Sequence, residues 1–151
     1  HTEYYEIKCN KKDNFSKKFP NLTRLRTLSQ GKPYRIFFSN KIYPFISDFA
    51  FENIRVLSIH LDGNKIENFS SNALSKIGNQ PFKYQQTFSL DLANNKLENI
   101  QFREVYFLDE IRLNDNRIEY LKADTFQSVF RIRILDLNKN HIIFINEYAF
   151  K

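Results

Sequence analysis

A six-residue phrase recurs along this chain. NKIENF at 64–69 returns as NKLENI at 95–100, NRIEYL at 116–121 and NHIIFI at 140–145, with a looser NKIYPF at 40–45. Reading backwards from each Asn exposes a longer unit. Val56-x-x-Ile59-x-Leu61-x-x-Asn64-x-Ile66-x-x-Phe69 is followed by Thr87-x-x-Leu90-x-Leu92-x-x-Asn95-x-Leu97-x-x-Ile100. Leu108-x-x-Ile111-x-Leu113-x-x-Asn116-x-Ile118-x-x-Leu121 and Ile132-x-x-Leu135-x-Leu137-x-x-Asn140-x-Ile142-x-x-Ile145 complete the series. Counting the looser copy from Asn40, the Asn-to-Asn spacings are 24, 31, 21 and 24. One such unit cannot bury its own apolar face, so successive units must stack.

The spacing within a unit has a direct physical reading. The alternation around the two inner Leu positions has the period of a short strand with one buried face. The Asn then turns the chain, and its amide can bond backbone groups left unpaired at the bend, so stacked copies form a ladder. The 31-residue interval carries an insertion, placed within 76–86 (KIGNQPFKYQQ), where Gly and Pro mark a loop. The first unit is irregular, because Arg35 falls where Leu is expected before Asn40; a bulge or register shift would correct this. Upstream, Tyr5, Ile7 and Cys9 alternate like an edge strand, while Phe19, Leu22, Leu25 and Leu28 recur every three residues, as on a helical or 3₁₀ face.

The form LxxLxLxxNxLxxL resembles the leucine-rich-repeat family over at least residues 54–151. Ten residues after each Asn stands Leu74, Val105, Phe126 or Phe150. That is similar to the extracellular class with roughly 24-residue repeats. The resemblance implies an α/β fold: a right-handed solenoid with a parallel β-sheet on the concave face and loops or short 3₁₀ turns on the convex face. It divides the chain into a basic N-terminal capping region, 1–33, and a solenoid of about five repeats over 34–151. The last repeat breaks off at Phe150-Lys151, so it is expected to be truncated or uncapped.

Family members bind partners on the concave sheet, and the resemblance carries that expectation to the outward strand positions. One row reads His60, Asp91, Arg112, Asp136; a second Asp62, Ala93, Asn114, Asn138; a third Ser58, Ser89, Glu110, Ile134. Ser58, His60, Asp62, Asp91, Glu110, Arg112, Asn114, Asp136 and Asn138 are therefore the candidate partner-binding residues. The plainer reading is that Arg112 sits between Asp91 and Asp136 and the row neutralises itself. Lys65, Lys96, Arg117 and His141 form a basic row just after the Asn, opposed by Glu67, Glu98 and Glu119, as expected of a solvated edge. At the C-terminal end, Ile134, Ile143, Phe144 and Phe150 form a candidate assembly surface.

Charge, cysteine and sequon content set the remaining expectations. The net charge of +6 lies wholly in the first third: residues 1–50 hold 10 Lys/Arg against 4 Asp/Glu, and residues 51–151 hold 13 of each. A basic segment of this kind attracts a polyanion or an acidic protein surface; otherwise it is a solvated cap. The lone Cys9 cannot close an internal disulfide and is a candidate for an intermolecular one. Asn14, Asn21 and Asn68 head N-x-S/T sequons, acceptors for N-glycans in a secreted chain.

Nothing points to catalysis, a cofactor or a resident metal. His1, His60 and His141 lack metal-ligand spacing, Cys9 has no evident His partner, and three Gly make no phosphate-cradling loop. Asp62 and Asp91 are expected about one strand apart, but an open sheet lacks the enclosed pocket that tunes acid–base groups. The sequence also lacks an 18-residue apolar run, so no membrane segment is expected, and no nucleic-acid partner is expected. No charged-then-apolar leader opens the chain, which begins at His1 as a mature secreted chain would. The expected function is a non-enzymatic extracellular recognition module, part of an immune or adhesion receptor or a secreted binding protein. The alternatives are a structural subunit docked through the C-terminal end and a cytoplasmic scaffold.

Overall fold

The structure is a computed structural model in which residues 3–8, 19–22, 24–25, 31–77 and 87–151 are described. The first five strands are β1 (Tyr5–Lys8), β2 (Tyr34–Phe37), β3 (Phe45–Ile46), β4 (Val56–His60) and β5 (Asn68–Phe69). They are followed by β6 (Phe88–Asp91), β7 (Leu108–Arg112), β8 (Tyr120–Leu121), β9 (Ile134–Asp136) and β10 (Phe144–Ile145). Six of them form one parallel sheet in the order β1-β2-β4-β6-β7-β9. Two-residue parallel pairs, β3 with β5 and β8 with β10, lie where the chain turns back. Each unit thus contributes a strand to the large sheet beside that of the preceding unit. Among the described residues, no helix is long and apolar enough to cross a membrane.

The repeat positions stack as rows. Ile36, Ile59, Leu90, Ile111 and Leu135 are register partners along the sheet, and the first four are almost wholly buried. Leu61, Leu92 and Leu113 form the next buried row, and Ile66, Leu97 and Ile118 the one after the turn. Burying an aliphatic side chain of this size contributes about 1.5–3 kcal/mol relative to leaving it exposed. The rows are therefore the main source of cohesion between units.

The Asn ladder forms as the spacing predicts. Asn95 Nδ2 donates to its own unit's Leu92 carbonyl and to Leu61 of the preceding unit, both at 3.0 Å, while its Oδ1 accepts the Ile66 amide at 3.0 Å. Asn116 repeats this with Leu113, Leu92 and Leu97, and Asn140 with Leu137, Leu113 and Ile118. Asn64 bonds the Leu61 and Phe38 carbonyls, but its Oδ1 finds no partner. The residue before each ladder position has positive φ: Gly63, Asn94, Asp115 and Lys139. Gly63 is doubly constrained, since a Cβ there would collide with the Asn40 side chain.

Three expectations need correction. Asn40 is not the first ladder residue. It has φ 55 and its amide bonds the Asp62 carbonyl, as Gly63 bonds Ala93, so the ladder position falls on Lys41. A register shift between Tyr34 and Arg35 brings Ile36 level with Ile59 and turns Arg35 outward beside Ser58. Counting ten residues from Lys41 reaches Phe51, which is fully buried like Leu74 and Val105. Second, Thr87 does not fill the apolar position assigned to it. It is exposed, and a shift between Phe88 and Ser89 places buried Phe88 opposite Leu108.

Third, the α component of the expected α/β class is almost absent among the described residues. The return limb of each unit consists of turns and bends. Some of its backbone bonds run from unit to unit, as in Phe49 to Asn72, Phe51 to Ala73 and Phe126 to Ala149, and others close single i→i−3 turns within a unit, as in Ile54 to Phe51, Ala73 to Ser70 and Val129 to Phe126. Positive φ at Phe49, Asn53, Lys76, Glu104 and Asp124 breaks any continuous helical path through these limbs. Leu28 and residues 78–86 of the expected insertion lie outside the described residues.

Candidate functional site: the open face of the sheet

Strand alternation turns Ile and Leu inward and sends polar residues to the opposite face. Two of the three anticipated rows are register partners across four strands, Ser58–Ser89–Glu110–Ile134 and His60–Asp91–Arg112–Asp136, whereas Ala93 of the third row is buried. The corrected first unit and β1 extend them. Arg35 and Glu6 continue the first row, and Phe37 and Lys8 continue the second. Sequence reasoning left Phe37 out because its unit was set one residue out of register.

Exposure divides the candidates. Arg112 and Asn138 are exposed; His60, Asp62, Asp91, Glu110, Asn114 and Asp136 are half-buried. Ser58 is only 7% exposed, which removes it as a direct contact. Its short side chain lies low between longer neighbours, and its Oγ sits 3.1 Å from His60 Nε2. The His60 ring lies flat on Phe37, with centroids 4.6 Å apart and planes at 8°.

The charge pairing differs from the expected relay. Arg112 holds Glu110 of its own strand, with Nη2 2.8 Å from Oε1, and comes only within 4.0 Å of Asp91 Oδ2. Asp136 instead accepts from the Asn138 amide and Nδ2, at 3.0 and 2.8 Å. Two residues along one strand project to the same face, so Glu110 reaches the guanidinium more directly than Asp136 does across the ladder. Arg133 adds to the cluster through Asp109 at 2.9 Å and Glu110 at 3.7 Å.

Asp91 is the most perturbed group on this face. Burial pushes its carboxyl above the ordinary aspartate range, and nearby Asp62 pushes the same way. The Ala93 amide, donating to Asp91 Oδ1 at 3.0 Å, opposes the shift, as do Arg112 and His60. Asp62 takes its hydrogen bond from a neutral donor, Ser39 Oγ, at 2.5 Å. The ligand atoms of His60, Asp62 and Asp91 all lie within 4.8 Å of one another. Sequence reasoning placed the two carboxylates together. It missed the imidazole as their companion because it tested histidines only against one another.

The remaining candidates lie elsewhere. At the C-terminal end, Ile134 (38%), Ile143 (71%), Phe144 (53%) and Phe150 (55%) are exposed, joined by Ile145 and Tyr148, which the sequence reading omitted. Phe150 stacks on Phe126 with centroids 5.3 Å apart. On the turn edge, Lys96 pairs with Glu67 of the preceding unit at 3.3 Å, a contact between the basic and acidic rows. Asn21 and Asn68 are exposed, whereas Asn14, Cys9 and most of the basic segment lie outside the described residues. Comparison with protein-family models finds no match, and comparison with curated proteins finds none either.

Proposed function

We propose that this chain is a leucine-rich-repeat solenoid of the extracellular class, right-handed, acting as a non-enzymatic recognition module. Its partner is a protein that docks on the open, concave face of the sheet. The observation that carries the reading is the His60–Asp91–Arg112–Asp136 row, polar and solvent-facing above a buried Ile/Leu row. Parallel strands about 4.8 Å apart space such side chains regularly enough to match a partner's surface. Binding arises from that complementarity and involves no bond making or breaking.

The test has two arms. A multimerised form of the chain is screened against a panel of extracellular proteins, and any hit is remeasured with the Asp91→Ala/Asp136→Ala double variant. Affinity should fall at least tenfold while far-ultraviolet dichroism shows the fold retained. A hit indifferent to the double variant moves the binding surface off the sheet. Intact mass of the natural protein then reads secretion directly, as added sugar at exposed Asn21 or Asn68. A bare mass would argue for the cytoplasmic scaffold.

A second reading is supported by the exposed Ile143, Phe144 and Phe150: a subunit docked through its C-terminal end. Sedimentation at increasing concentration separates the two. A monomer throughout removes self-assembly through that end.

A further inference from the structure

We propose that His60, Asp62 and Asp91 bind one first-row divalent cation of the Zn²⁺ class on the open face of the sheet. His60 and Asp62 come from the strand β4 and the residues just after it, and Asp91 from the end of the neighbouring β6. Their ligand atoms lie within 4.8 Å of one another. Tetrahedral ligands on a common Zn²⁺, at bonds of about 2.0–2.2 Å, stand about 3.3–3.6 Å apart. Small rotamer adjustments close that difference. One imidazole with two carboxylates suits a borderline cation better than Ca²⁺ or Mg²⁺, which prefer all-oxygen sets.

Outside the three ligands, the surroundings match the second layer that metal sites use. Imidazole ligands are oriented by a partner on the other ring nitrogen, and carboxylate ligands by hydrogen bonds of their own. Ser58 Oγ sits 3.1 Å from His60 Nε2, and the Phe37 ring lies flat on the imidazole, so both orient the ring. Ser39 holds Asp62, and the Ala93 amide holds Asp91. Ser58 is nearly fully buried, so its role is to orient His60 rather than to meet a partner. A competing cation, Arg112, is engaged at 2.8 Å by Glu110 and stays 4.0 Å from Asp91. A cation held between the Asp62 and Asp91 carboxylates would offset the repulsion of two like charges at this distance. Three protein ligands leave the remaining positions open toward solvent.

The inference stands apart from partner recognition, because its test contains no partner. Chelator-treated protein is titrated with Zn²⁺ by calorimetry and with Co²⁺ by visible absorption. Saturation at one equivalent, with a rise in melting temperature, is expected. His60→Gln, Asp62→Asn and Asp91→Asn should each weaken binding at least tenfold; the amide in Asp91→Asn retains the acceptor for Ala93. His141→Ala should leave binding unchanged. No saturable binding overturns the proposal. So does binding that survives any of the three ligand substitutions, or that disappears in His141→Ala. Far-ultraviolet dichroism and melts of the metal-free variants separate lost binding from lost folding.

Discussion

The first and last units described differ in what covers their cores. At the N-terminal end, β1 adds a further strand to the sheet, and Phe19 lies edge-on against Phe38, Tyr43 and Phe51 with centroids 5.4–5.6 Å apart. The first unit's core is therefore closed by residues that do not belong to the repeat. At the other end, positions that are fully buried in the interior lie open. Ile145 is 51% exposed, while Leu121, its register partner, is 0% exposed. Leu135, Leu137 and Ile142 are only partly buried, unlike their counterparts Ile111, Leu113 and Ile118. The same residue type at the same place in the unit is core or surface depending on whether a neighbour follows. A unit's sequence supplies half a core, and the next unit supplies the other half.

The largest expected contrast pairs an interior deletion with a terminal one. Ile111→Ala should cost about 4 kcal/mol, because it opens a cavity in a filled row. Ile143→Ala should stay within about 0.5 kcal/mol. Chemical denaturation measures both, and a comparable loss at Ile143 would mean that the end is covered in solution. The ladder gives the next contrast. Asn116→Ala strands buried backbone groups at Leu92, Leu97 and Leu113, for about 3 kcal/mol. Asn140→Ala, whose bonds are only partly buried, should cost about half as much. At the closed end, Phe19→Ala should cost about 2 kcal/mol, less than a fully buried Phe. A negligible loss there would show that the first unit needs no cover and would erase the contrast between the ends.

The smallest effect concerns the sheet's middle, remote from either end. Asp91 holds its proton to higher pH in the fold than in the unfolded chain. Its contribution is thus favourable at low pH and is lost as pH rises through the raised value, so the ionised carboxylate is destabilising at neutrality. Metal-free Asp91→Asn should melt above the parent at pH 7. That gap should close as pH falls below the ordinary aspartate range. A gap constant with pH would assign the effect to packing instead.

The stacking of strands and the outward rows were legible because both follow from spacing alone. Four units share the Ile/Leu-x-Leu-x-x-Asn frame, and any chain keeping that frame aligns those positions. The first unit misled because an Asn stands at 40, one residue before the ladder position. Asn is also a residue that tolerates positive φ, which is the geometry it adopts there. Thr87 misled for a related reason: a one-residue shift lets Phe88 replace it in the core, and pattern matching has no cost term for a bulge. The triad of His60, Asp62 and Asp91 was half visible, since adjacent strands imply the carboxylate pair. Ser39 and Phe37, which hold two of its members, belong to the unit whose register was misplaced. Arg112's preference for Glu110 over Asp136 depends on side-chain reach, which no spacing encodes.

The Asn ladder has a consequence for how the molecule comes apart. Each rung ties one unit only to the unit before it, so cooperativity is transmitted between neighbours and not across the whole chain. Such a molecule behaves as a one-dimensional zipper. Hydrogen exchange should be faster at the partly buried rung where Ile118 donates to Asn140 than at the buried rungs of Leu97 and Ile66. Lengthening or shortening the array by whole rungs would leave the remaining joints unchanged.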